Sequence, residues 1–438
     1  MHVKWLIGMW LVVGVTDITA GTSYQNRDSI ALYFNQAKEA TAKHESLWNK
    51  DIYGPILLVH PDTRVMFANE PDDEGYLSLD NGVYSGFLPK GIPVSNTDIK
   101  WAGKHWAMLM IPLPSSGYER VDLMTHELFH VAQPSLGFQP RWEDNQHLDL
   151  RDGRIYLRLE MRALEAALKA PRFNRAEEHL RNALIFRKYR HQIYRGSELS
   201  ENNLELLEGL ATYTGQMMSG RDKWKWREYL LERAALFHKI PTYVRSFAYE
   251  TTPIYGFFLH QKENLWNLTV DSETVLTELF VEAFGMERRI LLQSYVRQVA
   301  EEYSGRKIVA EETQRALQNE NELDRYRELF FELPHLEIQL KDMDMSFDPR
   351  SLIPLDEDEG TVYPVVEISD NWGVLTVVEG GALLRSDWRW VIVSEPLEIE
   401  GSVVKGDGWA LHLNEGYFIE DMGEGIYMLS RESEGPLN

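Results

Sequence analysis

The chain has 438 residues, 44% of them hydrophobic, with 68 acidic and 45 basic side chains and a formal net charge of -23. A surplus of that size argues against a basic face for a phosphate backbone and, by the same sign rule, against adhesion to an anionic membrane surface. There is no cysteine, so disulfides, thiolate ligands and cysteine nucleophiles are excluded, and any metal site must be built from His, Glu and Asp.

The first residues have the order of a secretory signal: Lys4, an apolar run over 5–15, then small and polar residues ending in Ile18-Thr19-Ala20. This predicts a signal peptide over 1–20 and a secreted or periplasmic protein. The run is short for a bilayer span and no later segment is longer, so no membrane insertion is expected after signal removal. Helical spacing over 28–49 predicts a first surface helix, with Ile30, Leu32, Tyr33 and Leu47 facing inward.

Residues 50–114 read as a sheet region. Strands are predicted at 56–59 and 64–67 around a Pro61-Asp62 turn, at 83–88, and at 106–111. The last stops at Pro112 and Pro114, and Ser116 with Glu119 fits a capping box for the helix that follows. From 115 to 333 the pattern is helical, with segments at 155–170, 176–194, 201–219, 223–238, 255–261, 272–284, 288–303 and 311–329. From 334 to 438 short alternating runs separated by glycine turns predict a β-rich, sandwich-like domain. Its tryptophans, Trp372, Trp388, Trp390 and Trp409, suit a sandwich core better than a sugar platform. The expected class is therefore α+β: a mixed sheet packed on one central helix, then a helical subdomain, then the β domain.

That central helix carries Thr125-His126-Glu127-Leu128-Phe129-His130. Residues four apart on a helix share a face, so His126 and His130 can grip one metal ion while Glu127 stands beside them to take a proton from water held there. A chance origin for the five-residue pattern is not negligible, roughly a few per cent for a chain of this size. A catalytic zinc also needs a third protein ligand and an open position. A histidine six residues beyond His130 is excluded, because position 136 is leucine and Gln133 stands where that class has glycine. Asp149 and Asp152 lie in surroundings that carry no motif of the aspartate-ligand class. Two glutamates remain: Glu160, where pairing with an arginine is the routine explanation, and Glu208, whose helical face continues with the small residues Ala211, Thr212 and Gly215.

The segment Glu208-Gly209-Leu210-Ala211-Thr212-Tyr213 resembles the Glu-Gly-Phe-Ala/Thr-x-Tyr segment of the gluzincins, the clan of thermolysin-like and aminopeptidase-type zinc enzymes. The resemblance spans His126 to Tyr213 and implies a divergent branch, with Zn2+ as cofactor, Glu208 as third ligand and a peptide or protein substrate. It also implies that the strand ahead of the helix, His105-Trp106-Ala107-Met108, offers its edge to an extended peptide; an ordinary internal strand is the alternative. The strand motif by which aminopeptidases capture a free amino terminus has no match. Candidates for steadying a developing oxyanion are Tyr213, just past the ligand, and the cluster Tyr243, Arg245, Tyr249 and Tyr255, with Tyr249 and Tyr255 foremost. The rival expectation is an exported binding protein that keeps the fold without turnover.

Overall fold

A computed structural model describes residues 27–139, 143, 145–286, 290–347, 351–356 and 358–431, so the expected signal over 1–20 lies outside the described residues. The architecture is α+β. Two compact units divide the chain, Met1–Glu312 and Thr313–Asn438, and the division falls within the long helix Gly305–Arg327.

The first unit holds a six-stranded sheet: β1 (Ile56–Val59), β2 (Val65–Ala68), β3 (Ser78–Asp80), β4 (Val83–Phe87), β5 (Thr97–Trp101) and β6 (Lys104–Met110) in the order β3-β4-β2-β1-β6-β5. β1 and β6 run parallel, with Ile56 opposite Ala107 and Val59 opposite Met110, and the other pairs are antiparallel. The pleat sends alternate side chains to opposite faces. Ile56, Leu58, Ala107 and Leu109 join the main core with the helices. Leu57, Val59, Trp106 and Met108 join a second core, closed by Leu77 and Leu88. Burial on both faces is why β1 reads as an unbroken apolar run.

This arrangement decides between the two readings of the strand ahead of the central helix in favour of an ordinary internal strand. β6, the strand ahead of the central helix, is internal, flanked by β1 and β5. The outer strand on that side is β5, which sequence reading missed because its polar residues Thr97, Asp98 and Lys100 give no apolar signal.

Helix α1 (Arg27–Lys43) buries Ile30, Phe34 and Ala37, whereas Leu32, expected inside, is 52% exposed. The helical period selects 30, 34 and 37 as one stripe, and 32 falls outside it. Helix α2 (Gly117–Ala132) begins where expected, but the Ser116 side chain makes no capping bond. Arg120 fastens that end instead, donating to the carbonyls of Pro114 and Ser115 at 2.8 and 3.2 Å. α2 lies on the sheet through Met124 and Leu128, both fully buried.

α3 (Arg151–Lys169) and α4 (Phe173–Ile193) supply Leu157, Leu164, Leu168, Leu180 and Leu184 to the same core. Each such leucine contributes about 2 kcal/mol relative to an exposed position. The stretch expected as one helix over 201–219 is three pieces: α5 (Ser197–Leu204), a π-helical turn (Glu205–Gly209) and α6 (Leu210–Met218). α7 (Lys223–Phe237) and α8 (Ala248–Lys262) follow. α8 starts earlier than its expected 255 and carries Pro253 inside it, where the missing N–H forgoes one helical hydrogen bond. α9 (Leu276–Phe284), α10 (Gln293–Ala300) and α11 (Gly305–Arg327) complete the described helices.

In the second unit, sheets of seven and six strands share one core among the described residues. Leu336, Ile338, Leu384 and Val391 from one sheet meet Ile368, Leu375, Val404 and Leu411 from the other. Trp372 and Trp409 belong to that core, while Trp388 is 52% exposed.

Candidate metal centre

Three side chains from two helical segments meet in the first unit. α2 presents His126 and His130 one turn apart, and the π-helical turn presents Glu208 across from them. His130 Nε2 lies 3.0 Å from His126 Nε2 and 3.3 Å from Glu208 Oε2, and His126 Nε2 lies 3.5 Å from the same oxygen. Ligands held tetrahedrally at ordinary zinc–nitrogen and zinc–oxygen distances stand roughly 3.3 Å apart, so this triangle has the right edges. The three side chains are 9–12% exposed. Among the described residues they are the one group of three such side chains placed to hold a metal ion.

Local sequence explains the approach. A Cβ at Gly215 would stand 2.5 Å from the Asp122 carbonyl oxygen, so only glycine lets α6 come this close to α2. The π-helical turn then aims two glutamates differently. Glu205 is buried against Arg187, which binds it through two nitrogens at 2.9 Å, while Glu208 faces the histidines. Such wide turns inside α-helices are frequent at functional sites.

The electrostatics follow from enclosure. Burial disfavours a charged His130, but the Glu208 carboxylate outweighs it and, with Glu127 and the Gln133 hydrogen bond, pushes its pKa up to about 10. Burial alone would raise Glu208; His130 and His126 overcome it and hold the acid well below the usual carboxylate range. His126 is lowered, first by burial. Glu127, beside this cluster, is pushed up to about 8, chiefly by burial, with Glu208 and Asp98 adding to the rise against His130. Its Oε2 is buried with no hydrogen-bond partner among the described residues. A carboxyl oxygen left in that state is costly unless something else comes to meet it.

The three candidate tyrosines part company. Tyr249, at the start of α8, stacks on His126 with ring centroids 5.9 Å apart and 11° between planes, and its hydroxyl feels the Glu208 carboxylate. Its hydroxyl is raised well above its ordinary pKa, first by burial and then by that carboxylate. Tyr213 is turned into the core, where its hydroxyl accepts from Trp266 Nε1 at 3.0 Å. Tyr255 donates to Glu160 Oε1 at 3.1 Å and stacks on Phe280. Tyr213 and Tyr255 are thus corrected from site candidates to core residues, since each hydroxyl is already engaged away from the histidines. Tyr243 is likewise fully buried, stacked on Phe237.

Glu160, the other candidate ligand, has both oxygens occupied: Oε1 by Arg187 at 2.7 Å and Oε2 by Arg190 at 2.9 Å. Asp149 accepts from Arg154 at 3.1 Å, and Asp152 from Arg151 at 3.0 Å.

Two groups that sequence reading passed over touch the histidines. Gln133 Oε1 lies 2.9 Å from His130 Nδ1, and the Thr212 hydroxyl lies 3.4 Å from His126 Nδ1. The signal for the first was its place three residues beyond His130, on the same helical face. No family model, curated protein or solved structure matches the chain.

Proposed function

We propose that the chain is a zinc-dependent hydrolase of peptide bonds, with His126, His130 and Glu208 as ligands, Glu127 as general acid–base and Tyr249 as hydrogen-bond donor to the oxyanion. The observation that carries this reading is the enclosed donor triangle with an unsatisfied Glu127 carboxyl beside it. Two imidazoles and one carboxylate are a donor set that zinc suits and that leaves one position open. When bound, such an ion polarises a carbonyl and makes water acidic near neutral pH.

The rest is done by side chains of this chain. Glu127 accepts the proton of the attacking water and returns it to the leaving amine. A carboxyl whose pKa burial has moved toward neutrality suits both directions of that transfer. Tyr249, held parallel to His126, turns its hydroxyl from Glu208 toward the developing negative charge. The outer strand β5 packs against α2, the helix that carries Glu127. An extended peptide pairing with β5 needs only backbone groups, which suits a substrate of varied sequence. The apolar run over 5–15 supports export and the gluzincin-like segment supports the ligand set. Among the described residues no helix is long and apolar enough to cross a membrane.

The test is cleavage of a mixed peptide library by the full chain loaded with one equivalent of Zn2+, followed by mass spectrometry. Cleavage that a chelator abolishes and zinc restores is expected. A stably loaded protein that cuts nothing in the library would overturn the assignment.

A further inference from the structure

The π-helical turn raises a question of backbone accounting. Leu210 N–H bonds to the carbonyl of Glu205, five residues back. When a helix returns from that pattern to bonds four residues back, one carbonyl is passed over and has no helical donor. The carbonyls next in line are those of Leu206 and Leu207, both in buried residues. The side-chain amide of Gln133 meets both of them, its Nε2 donating at 3.1 Å to Leu206 and at 2.9 Å to Leu207. Gln133 itself is 2% exposed.

This bond fixes a second one. Carbonyl oxygens only accept, so the Gln133 nitrogen must face the π-helical turn, and its Oε1 must therefore face His130. An amide oxygen also only accepts, so His130 Nδ1, 2.9 Å away, must carry a proton and donate it. With a proton fixed on Nδ1, Nε2, beside His126 and Glu208, is the nitrogen that would give its lone pair to a metal ion. Thr212 repeats the logic more loosely. Its hydroxyl donates to the Glu208 carbonyl at 2.8 Å and so can only accept from His126 Nδ1.

We propose that Gln133 is a positioning residue that couples the two halves of the metal centre, setting the tautomer of His130 with one end of its amide and holding the Glu208-bearing turn with the other. The inference rests on the metal-binding reading of His126, His130 and Glu208. One side chain thereby ties the ligand pair on α2 to the third ligand on a different helical segment. Groups in this role carry part of the metal affinity although they never touch the ion.

The experiment measures Zn2+ dissociation constants by competition with a chromogenic chelator, on the full chain and on Gln133→Glu and Gln133→Leu. Gln133→Leu removes both halves of the bridge and Gln133→Glu keeps the acceptor for His130 but loses the donor for the turn. Both are expected to bind Zn2+ about 10- to 100-fold more weakly while the metal-free proteins melt as cooperatively as wild type. Because either variant could fail to fold, a measurement on wild type runs beside it. In 15N-histidine-labelled, zinc-loaded protein, long-range 1H–15N spectra should show a slowly exchanging proton on His130 Nδ1. Wild-type affinity in Gln133→Glu, or no protected Nδ1 proton on His130, would overturn the coupling and leave the metal site standing. Failure of wild type itself to bind Zn2+ would overturn both.

Discussion

Tyr249 lies parallel to His126, 5.9 Å between ring centroids, and its hydroxyl feels the Glu208 carboxylate. A phenol in that position adjoins the three side chains that could hold a metal ion without belonging to them. Tyr249→Phe should retain one zinc per chain and keep KM within a few-fold, while kcat falls about 100-fold, the usual loss for one oxyanion donor. Steady-state kinetics with metal analysis of the same preparation checks this. An unchanged kcat would return the ring to packing.

The other two tyrosines provide the controls. Tyr213→Phe leaves the buried Trp266 N–H without its acceptor, and Tyr255→Phe takes one donor from Glu160. Each should cost about 1–3 kcal/mol in urea denaturation, with kcat within a few-fold of wild type.

Glu160 tests the ligand choice from the opposite side. Glu160→Ala takes one carboxylate partner from each of two fully buried guanidinium groups, Arg187 and Arg190, which keep Glu205 and Glu201, and should destabilise by about 3 kcal/mol. Zinc content per folded molecule should stay at one, whereas Glu208→Ala should lose the metal at far smaller cost to the fold.

Close approach is the premise of the centre, and Gly215 is where it can be broken. In Gly215→Ala the new methyl would stand 2.5 Å from a backbone oxygen of α2, so α6 must move outward and carry Glu208 with it. Zinc affinity should fall at least 10-fold, measurable by the same chelator competition, with the β domain's unfolding transition unaffected.

Away from the site, His238 predicts a pH effect. Its ring is packed on Phe237, both nitrogens lack hydrogen-bond partners among the described residues, and burial, with Arg162 and Arg158, lowers its pKa to about 4. Between pH 6.5 and 4 the unfolded chain binds a proton there that the folded chain refuses. Stability therefore falls as pH drops through that window and levels off below it. In urea titrations, wild type should lose about 3 kcal/mol relative to His238→Phe between pH 7 and pH 4.

Much of this was legible in the sequence because it rests on period and spacing. His126 and His130 had to share a face, and the small residues after Glu208 announced a close helix pair. The apolar runs at 56–59 and 106–110 placed two strands of the sheet. What escaped depends on contacts between distant segments. Strand neighbours are set by topology, so β5 rather than β6 took the edge. The π-helical turn has no compositional mark, since it answers to Arg187 on one side and the histidines on the other. Three tyrosines in similar local sequence met three different fates because only the tertiary fold decides which hydroxyl finds Trp266, Glu160 or Glu208.

The central claim, that Glu127 moves the proton at a metal site it does not itself build, is tested most directly by Glu127→Gln, with zinc content and peptide hydrolysis measured on one preparation. The substitution keeps shape and removes the base, so one zinc per chain with hydrolysis reduced at least 1000-fold is predicted. Hydrolysis at the wild-type rate with zinc bound would contradict the account.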